Sequence, residues 1–207
     1  NAQTQGEDVM RISTPALVAA TFLAGLAVGA LGFAAGGGWT YEGALMATRL
    51  TARFAFPIFL LAWTASAWAS LFPGGWRTAL LRRRRAAGLS FAAAHGAHLV
   101  FILIALQVFR HEAPMITVYA GGFVYLLVAA MAVTSHDAAV RWLGPARWKM
   151  LHTVGGLAIL LVFTNSYVGR LKSMPMLAIP ALALIALAIG LKLSAWRRRR
   201  ARAVQAA

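Results

Sequence analysis

Five side chains in this sequence have types and spacings that could do chemistry inside an apolar protein. His95 and His98 stand three residues apart in one apolar stretch, and His152 opens another. Arg49 and Arg53 are one helical turn apart in a third. An ionisable group in hydrocarbon is costly and usually has a partner or a ligand. Neutral imidazole is an axial ligand for haem iron. Guanidinium is suited to bidentate recognition of carboxylates. His98, in the middle of its stretch, and His152 are therefore the candidate cofactor ligands. His95 shares a helix face with His98 and is an alternative ligand, a partner behind it, or a contact for a cofactor carboxylate. Arg49 and Arg53 either snorkel to the interface or pair with haem propionates, an anionic quinone or a lipid head group. Against each functional reading stands a plainer one, a buried neutral histidine hydrogen-bonded to a neighbouring helix. His111, beside Arg110 and Glu112, and His136, beside Asp137, read as solvated.

The elements that must position these residues are membrane helices. Of 207 residues, 60% are hydrophobic and 12% charged, and the mean hydropathy is +0.70. Soluble domains are nearer half apolar and a quarter charged. A spanning helix needs about 20 apolar residues, and six stretches qualify: 15–36, 47–72, 87–109, 114–134, 149–168 and 174–194. The expected fold is all-α and polytopic, with residues 1–14 an N-terminal segment, 15–195 one six-helix domain and 196–207 a basic tail. Gly36-Gly37-Gly38 and Pro73-Gly74-Gly75 end the first two spans, and Pro57 and Pro180 lie inside spans and could kink them. Gly25 and Gly29, four apart, form a small-residue strip that suits an internal helix contact better than a dimer face. Residues 17–35 read as a first span rather than a cleaved leader; the first residue is Asn, and Met10 is a second candidate start.

The formal charge of +15 does not point to nucleic acid. The basic residues cluster at the ends of spans, at Arg82–Arg85, Arg147–Lys149 and Arg197–Arg200, as topology signals and anionic-lipid contacts do. Their bias places both termini in the cytoplasm of a bacterial inner membrane. Trp76, Trp142, Trp148 and Trp196 fall near that interface. Cysteine is absent, which excludes disulfides, thiol catalysis and iron–sulfur clusters, and five acidic residues leave no carboxylate-rich metal site.

Three blocks give the chain a wider resemblance. The first runs from Thr48 to Leu60-Leu61-Ala62-Trp63-Thr64-Ala65. The second is Arg84-Arg85 and Gly88-Leu89, with His98 nine residues after Leu89. The third is Thr134-Ser135, Trp142-Leu143-Gly144, Arg147-Trp148 and Leu151-His152. Over residues 45–195 the chain resembles the ferric reductase-like transmembrane family, in the branch of the haem-binding membrane subunit of the periplasmic methionine sulfoxide reductase system. The resemblance implies haem b bound by histidines on the third and fifth spans, where His98 and His152 match. It also implies FMN as a further cofactor, a quinol or flavin electron donor, and a periplasmic or membrane protein as acceptor. The family has another histidine thirteen residues along the fifth span; here that residue is Asn165, whose amide is a poor iron ligand.

Depth sharpens the departure. At 1.5 Å per residue, His98 lies about 20 Å from Arg85, His152 about 5 Å from Lys149 and Asn165 about 24 Å from Lys149. His98 is thus level with Asn165 rather than His152. Helix tilt or offset could bring His98 or His95 level with His152. Otherwise one histidine holds the haem alone, or the haem has been lost. The two function classes to separate are a b-type cytochrome and a non-catalytic accessory subunit of a larger membrane complex that contacts lipid, quinone or pigment.

Overall fold

The computed structural model describes residues 12–205, and among these all regular structure is helical. The long helices are α1 (Thr14–Ala35), α2 (Tyr41–Leu71), α4 (Arg84–Leu103), α5 (Met115–Val133), α7 (Pro145–Val168) and α8 (Pro175–Gln205). Two short helices lie between them, α3 (Gly75–Arg82) and α6 (Asp137–Leu143). A π-helical turn, Ile104–Val108, extends α4. Six of these helices are long and apolar enough to cross a membrane. The protein is a polytopic, all-helical membrane protein. Large apolar side chains such as Ile116 and Leu126 on α5 stand 75% and 70% exposed, as lipid-facing positions must.

Local chemistry sets the helix ends. The Ser13 hydroxyl accepts from the Ala16 N–H, and Thr40 caps α2 by accepting from Gly43. That cap starts α2 six residues before the expected span. His136 is exposed, as the sequence suggests, and also works as a cap: its Nδ1 accepts from the Ala139 N–H and starts α6. Gly144, at φ 78°, turns the chain into α7, where Pro145 needs no N–H partner. Helices α2 and α8 continue through Pro57 and Pro180. Helix α8 also runs on through the arginine cluster, so the basic tail is helical to Gln205.

Helices α1, α2 and α4 pack most closely, and glycine explains why. A Cβ on Gly25 would lie 2.7 Å from the Ala97 Cβ, one on Gly29 2.0 Å from the Phe101 ring, and one on Gly32 2.4 Å from the Ala47 Cα. The strip in the first span is an internal contact. Without water to drive helices together in lipid, such close packing carries much of the association.

Helices α2, α8, α7, α5 and α4 form a closed ring, each touching the next, with α1 outside against α2 and α4. Across the ring, α2 and α4 meet α7 through large side chains rather than close backbone. Phe56 lies tilted against Phe163 and Tyr167, at 5.1 and 5.0 Å between ring centres, and Phe59 against Phe163 at 5.8 Å and Phe91 of α4 at 5.2 Å. Both chain ends reach the same end of the bundle. There Arg83 donates to the Ile12 carbonyl, and Arg198 donates to the carbonyls of Ser70 and Leu71. The same end carries an ion pair between Arg85 and Asp137. Its hydrogen bond holds the Asp137 carboxyl below the usual range.

Candidate functional site

The wide spacing inside the ring leaves a cavity of about 220 Å³. Helix α4 contributes His95 and His98; α2 contributes Thr48, Arg49, Ala52 and Arg53; α5 contributes Val124. The facing wall comes from α7, with Ile159, Val162, Phe163, Ser166 and Tyr167, and Arg170 closes it from the turn beyond. A second, more open space of about 500 Å³ shares Arg49, Ser166 and Arg170 with it and adds Asn165, Gly169, Ser173 and Met174. Ligand clefts commonly run to roughly 300–1,000 Å³, so the inner cavity alone is small and the two together are ample. The mouth lies at the end of the bundle away from both termini.

His98 is held by α2. Its Nδ1 lies 2.9 Å from the Thr51 hydroxyl, which is fully buried. That hydroxyl also lies 2.8 Å from the Ala47 carbonyl and 3.1 Å from that of Thr48. With the hydroxyl proton on one of these carbonyls, the oxygen accepts from His98 Nδ1–H. This assignment leaves Nε2 with its lone pair, the form in which imidazole binds a metal.

His95 is one turn away, with 5.5 Å between the two ring centres. Its ring is sandwiched by Tyr125 at 4.5 Å and Phe91 at 5.2 Å, and the Tyr125 hydroxyl donates to the His95 carbonyl at 3.3 Å. Its Nδ1 is buried and has no hydrogen-bond partner. A buried polar atom left so costs about 1–3 kcal/mol, and such exceptions call for an explanation in a ligand or a function.

His152 is elsewhere. Its ring packs on Trp148 at 4.1 Å, and Trp148 in turn donates to the Thr134 carbonyl at 3.0 Å. The His152 Nε2 is also buried without a partner. Between His152 and the cavity, Gly155 and Gly156 pack against Met131 and Trp63. Ile159, the first α7 residue to reach the cavity, is seven residues on, about 10 Å along the helix. The structure therefore brings His95 and His98 together and does not bring His152 to them. Asn165 lies at the mouth, beside Arg49 and Arg170.

The arginines gather as a group of three. Arg170 donates to the Ser166 carbonyl and hydroxyl at 2.7 and 2.6 Å, and an Arg53 nitrogen lies 3.8 Å from the Met174 sulfur. Among the described residues, none of the three has a carboxylate partner. Burial, then the charges of Arg53 and Arg49, pull the Arg170 guanidinium below its usual pKa. Sequence reasoning found both histidines and two of the arginines. It missed Thr51, a common residue in apolar helices. It gave Arg170 no role, because nothing in one dimension ties residue 170 to residue 49.

The donor set suits a haem-like group in part. His98 offers an imidazole, the facing wall is mainly apolar, and guanidiniums line the same cavity. The α7 wall supplies no second imidazole, so opposed ligation by two histidines is not provided for. Among the described residues, no group of three or more His, Asp or Glu side chains is arranged to hold a metal ion. The chain matches no protein-family model, no curated protein and no solved structure.

Proposed function

We propose that this protein is a membrane electron-transfer subunit holding one haem b through His98, in the manner of the ferric reductase-like family that its sequence resembles. The observation that carries the reading is the pairing of His98 Nδ1 with Thr51 on a buried imidazole that lines a cavity. When bound, haem supplies reversible one-electron chemistry. The chain supplies the rest. Thr51 fixes the imidazole tautomer and orientation, as second partners of ligating histidines generally do. His95 lies beside the ligand on the same helix face. Ile159, Val162 and Phe163 exclude water. Arg53, which lines the inner cavity only, receives a carboxylate, with Arg49 at the border. His152 stays outside this site.

The charge bias of the loops supports cytoplasmic termini in a bacterial inner membrane; the family resemblance alone supplies a quinol or flavin donor and a periplasmic or membrane protein as acceptor. Absorption spectra of protein purified after haem-replete expression test the reading. A Soret band that shifts on dithionite reduction is expected. His98→Ala should abolish it, while His152→Ala and His111→Ala should leave it in place. Purified protein without such a band sinks the proposal.

A second reading is favoured by Asn165, which stands at the mouth of the site where the family would offer a histidine. On it the fold serves as a haem-free accessory subunit of a larger membrane complex. Stable co-purification with such a complex, without haem absorbance, would select it.

A further inference from the structure

The outer mouth has a chemistry that the inner cavity does not need. Arg49 is exposed, reaches from the third turn of α2 and makes no hydrogen bond among the described residues. Arg170 comes from the turn joining α7 and α8. Its Nη1 is anchored on Ser166, which fixes the plane of the guanidinium and leaves its other N–H donors free. Ser173 and Asn165 line the same space of about 500 Å³. With Arg53 next to it, the mouth gathers three like charges with no carboxylate among the described residues to offset them. Surface arginines normally spread apart or pair; Arg49 and Arg170 around this opening, with Arg53 behind them in the inner cavity, repel one another until an anion enters. The position also matters. Arg170 stands in the turn just beyond α7 and Arg49 about 12 Å into α2 from Tyr41, so both guanidiniums reach one opening, and the planar fork of arginine suits a tetrahedral oxyanion.

We propose that Arg49 and Arg170, supported by Ser173 and Asn165, form a seat for one phosphate oxyanion, supplied by an anionic phospholipid headgroup or by free phosphate. The seat uses none of the histidines, and Arg49 and Arg170 are the residues it shares with the lining of the inner cavity.

Full-length protein in neutral detergent micelles tests this by native mass spectrometry and thermal unfolding. Three ligands are titrated: phosphatidylglycerol, diacylglycerol of the same chains, and inorganic phosphate against chloride at equal ionic strength. Phosphatidylglycerol or phosphate should be retained and raise the unfolding temperature, and diacylglycerol should do neither. Binding of phosphatidylglycerol alone assigns a lipid headgroup, and binding of phosphate as well assigns the free anion. In Arg49→Gln/Arg170→Gln, affinity should fall about tenfold or more for each arginine lost. In Arg197→Gln/Arg199→Gln, which removes equal charge at the opposite end, it should change by less than that. The seat is refuted if wild-type protein binds neither phosphate ligand, if diacylglycerol binds as well as phosphatidylglycerol, or if both variants lose binding equally. If the double variant fails to fold, the single variant Arg49→Gln, which leaves the Ser166 anchor of Arg170 in place, carries the comparison. The wild-type titrations do not read the Soret band, so their failure is distinct from failure of the haem assignment.

Discussion

Replacing Thr51 by Val removes one oxygen and nearly keeps the shape of the side chain. The variant strands the Nδ1–H of His98 in a buried site and frees the ring to change tautomer. The stability loss should be about 1–3 kcal/mol, the range for a buried polar group left without its partner, read as a lower unfolding temperature in micelles. If His98 ligates haem, Thr51→Val should also weaken haem retention and shift the midpoint potential, while Thr51→Ser should restore both. A merely structural role for Thr51 would leave the potential of the remaining haem unmoved. His98 was legible in the sequence because an imidazole among apolar residues has a cost that needs offsetting. Thr51 was not, because threonine in a membrane helix commonly bonds the carbonyl one turn back, as Thr48, Thr64 and Thr164 do here. Only the crossing of α2 over α4 gives this threonine a second duty.

At the scale of elements, α1 owes its place to glycine. Gly32→Ala would drive a Cβ to 2.4 Å from the Ala47 Cα, which is backbone and cannot rotate away. Overpacking of this kind costs about 1–3 kcal/mol. Gly121→Ala on α5, where a Cβ meets nothing within 4 Å, should be neutral or slightly stabilising. Thermal unfolding of the two variants side by side checks the contrast. The six spans were readable because a run of about 20 apolar residues has few alternatives. Helices α3 and α6 were not anticipated, since seven or eight mixed residues carry no periodic signal. Helix α6 is tied to α4 by the ion pair of Asp137 with Arg85, through a carboxyl held below its usual range. A depressed folded pKa means that the tie stabilises at neutral pH and is lost as pH falls through that value. Both partners are more than half exposed, so the effect should be small. Hydrogen exchange in α6 should quicken on acidification below the normal aspartate range, and Asp137→Asn should remove that pH dependence.

At the scale of the whole molecule, the ring of five helices explains why the two sequence-prominent histidines part company. Each carries a family-like motif, but a motif fixes only the distance from its own helix end. The depth at which two helices present their residues depends on how they are offset in the bundle, and α7 meets the cavity only from Ile159 onward. The same geometry puts both chain ends and the α2–α4 connection at one end, with the mouth of the site at the other. Whether that mouth opens away from the cytoplasm follows from the distribution of basic residues, and the composition offers a clean way to read it. The chain has no cysteine, so any single introduced thiol is the only one. Lys172→Cys, in the turn beside the mouth, should react with a membrane-impermeant maleimide added to intact cells. Ala203→Cys, near the end of α8, should react only after permeabilisation or in inverted vesicles. The opposite labelling pattern would turn the protein over in the membrane. It would place the mouth, its three arginines and any anion they hold on the cytoplasmic side, and an electron acceptor outside the cytoplasm would then no longer meet the open end of the site.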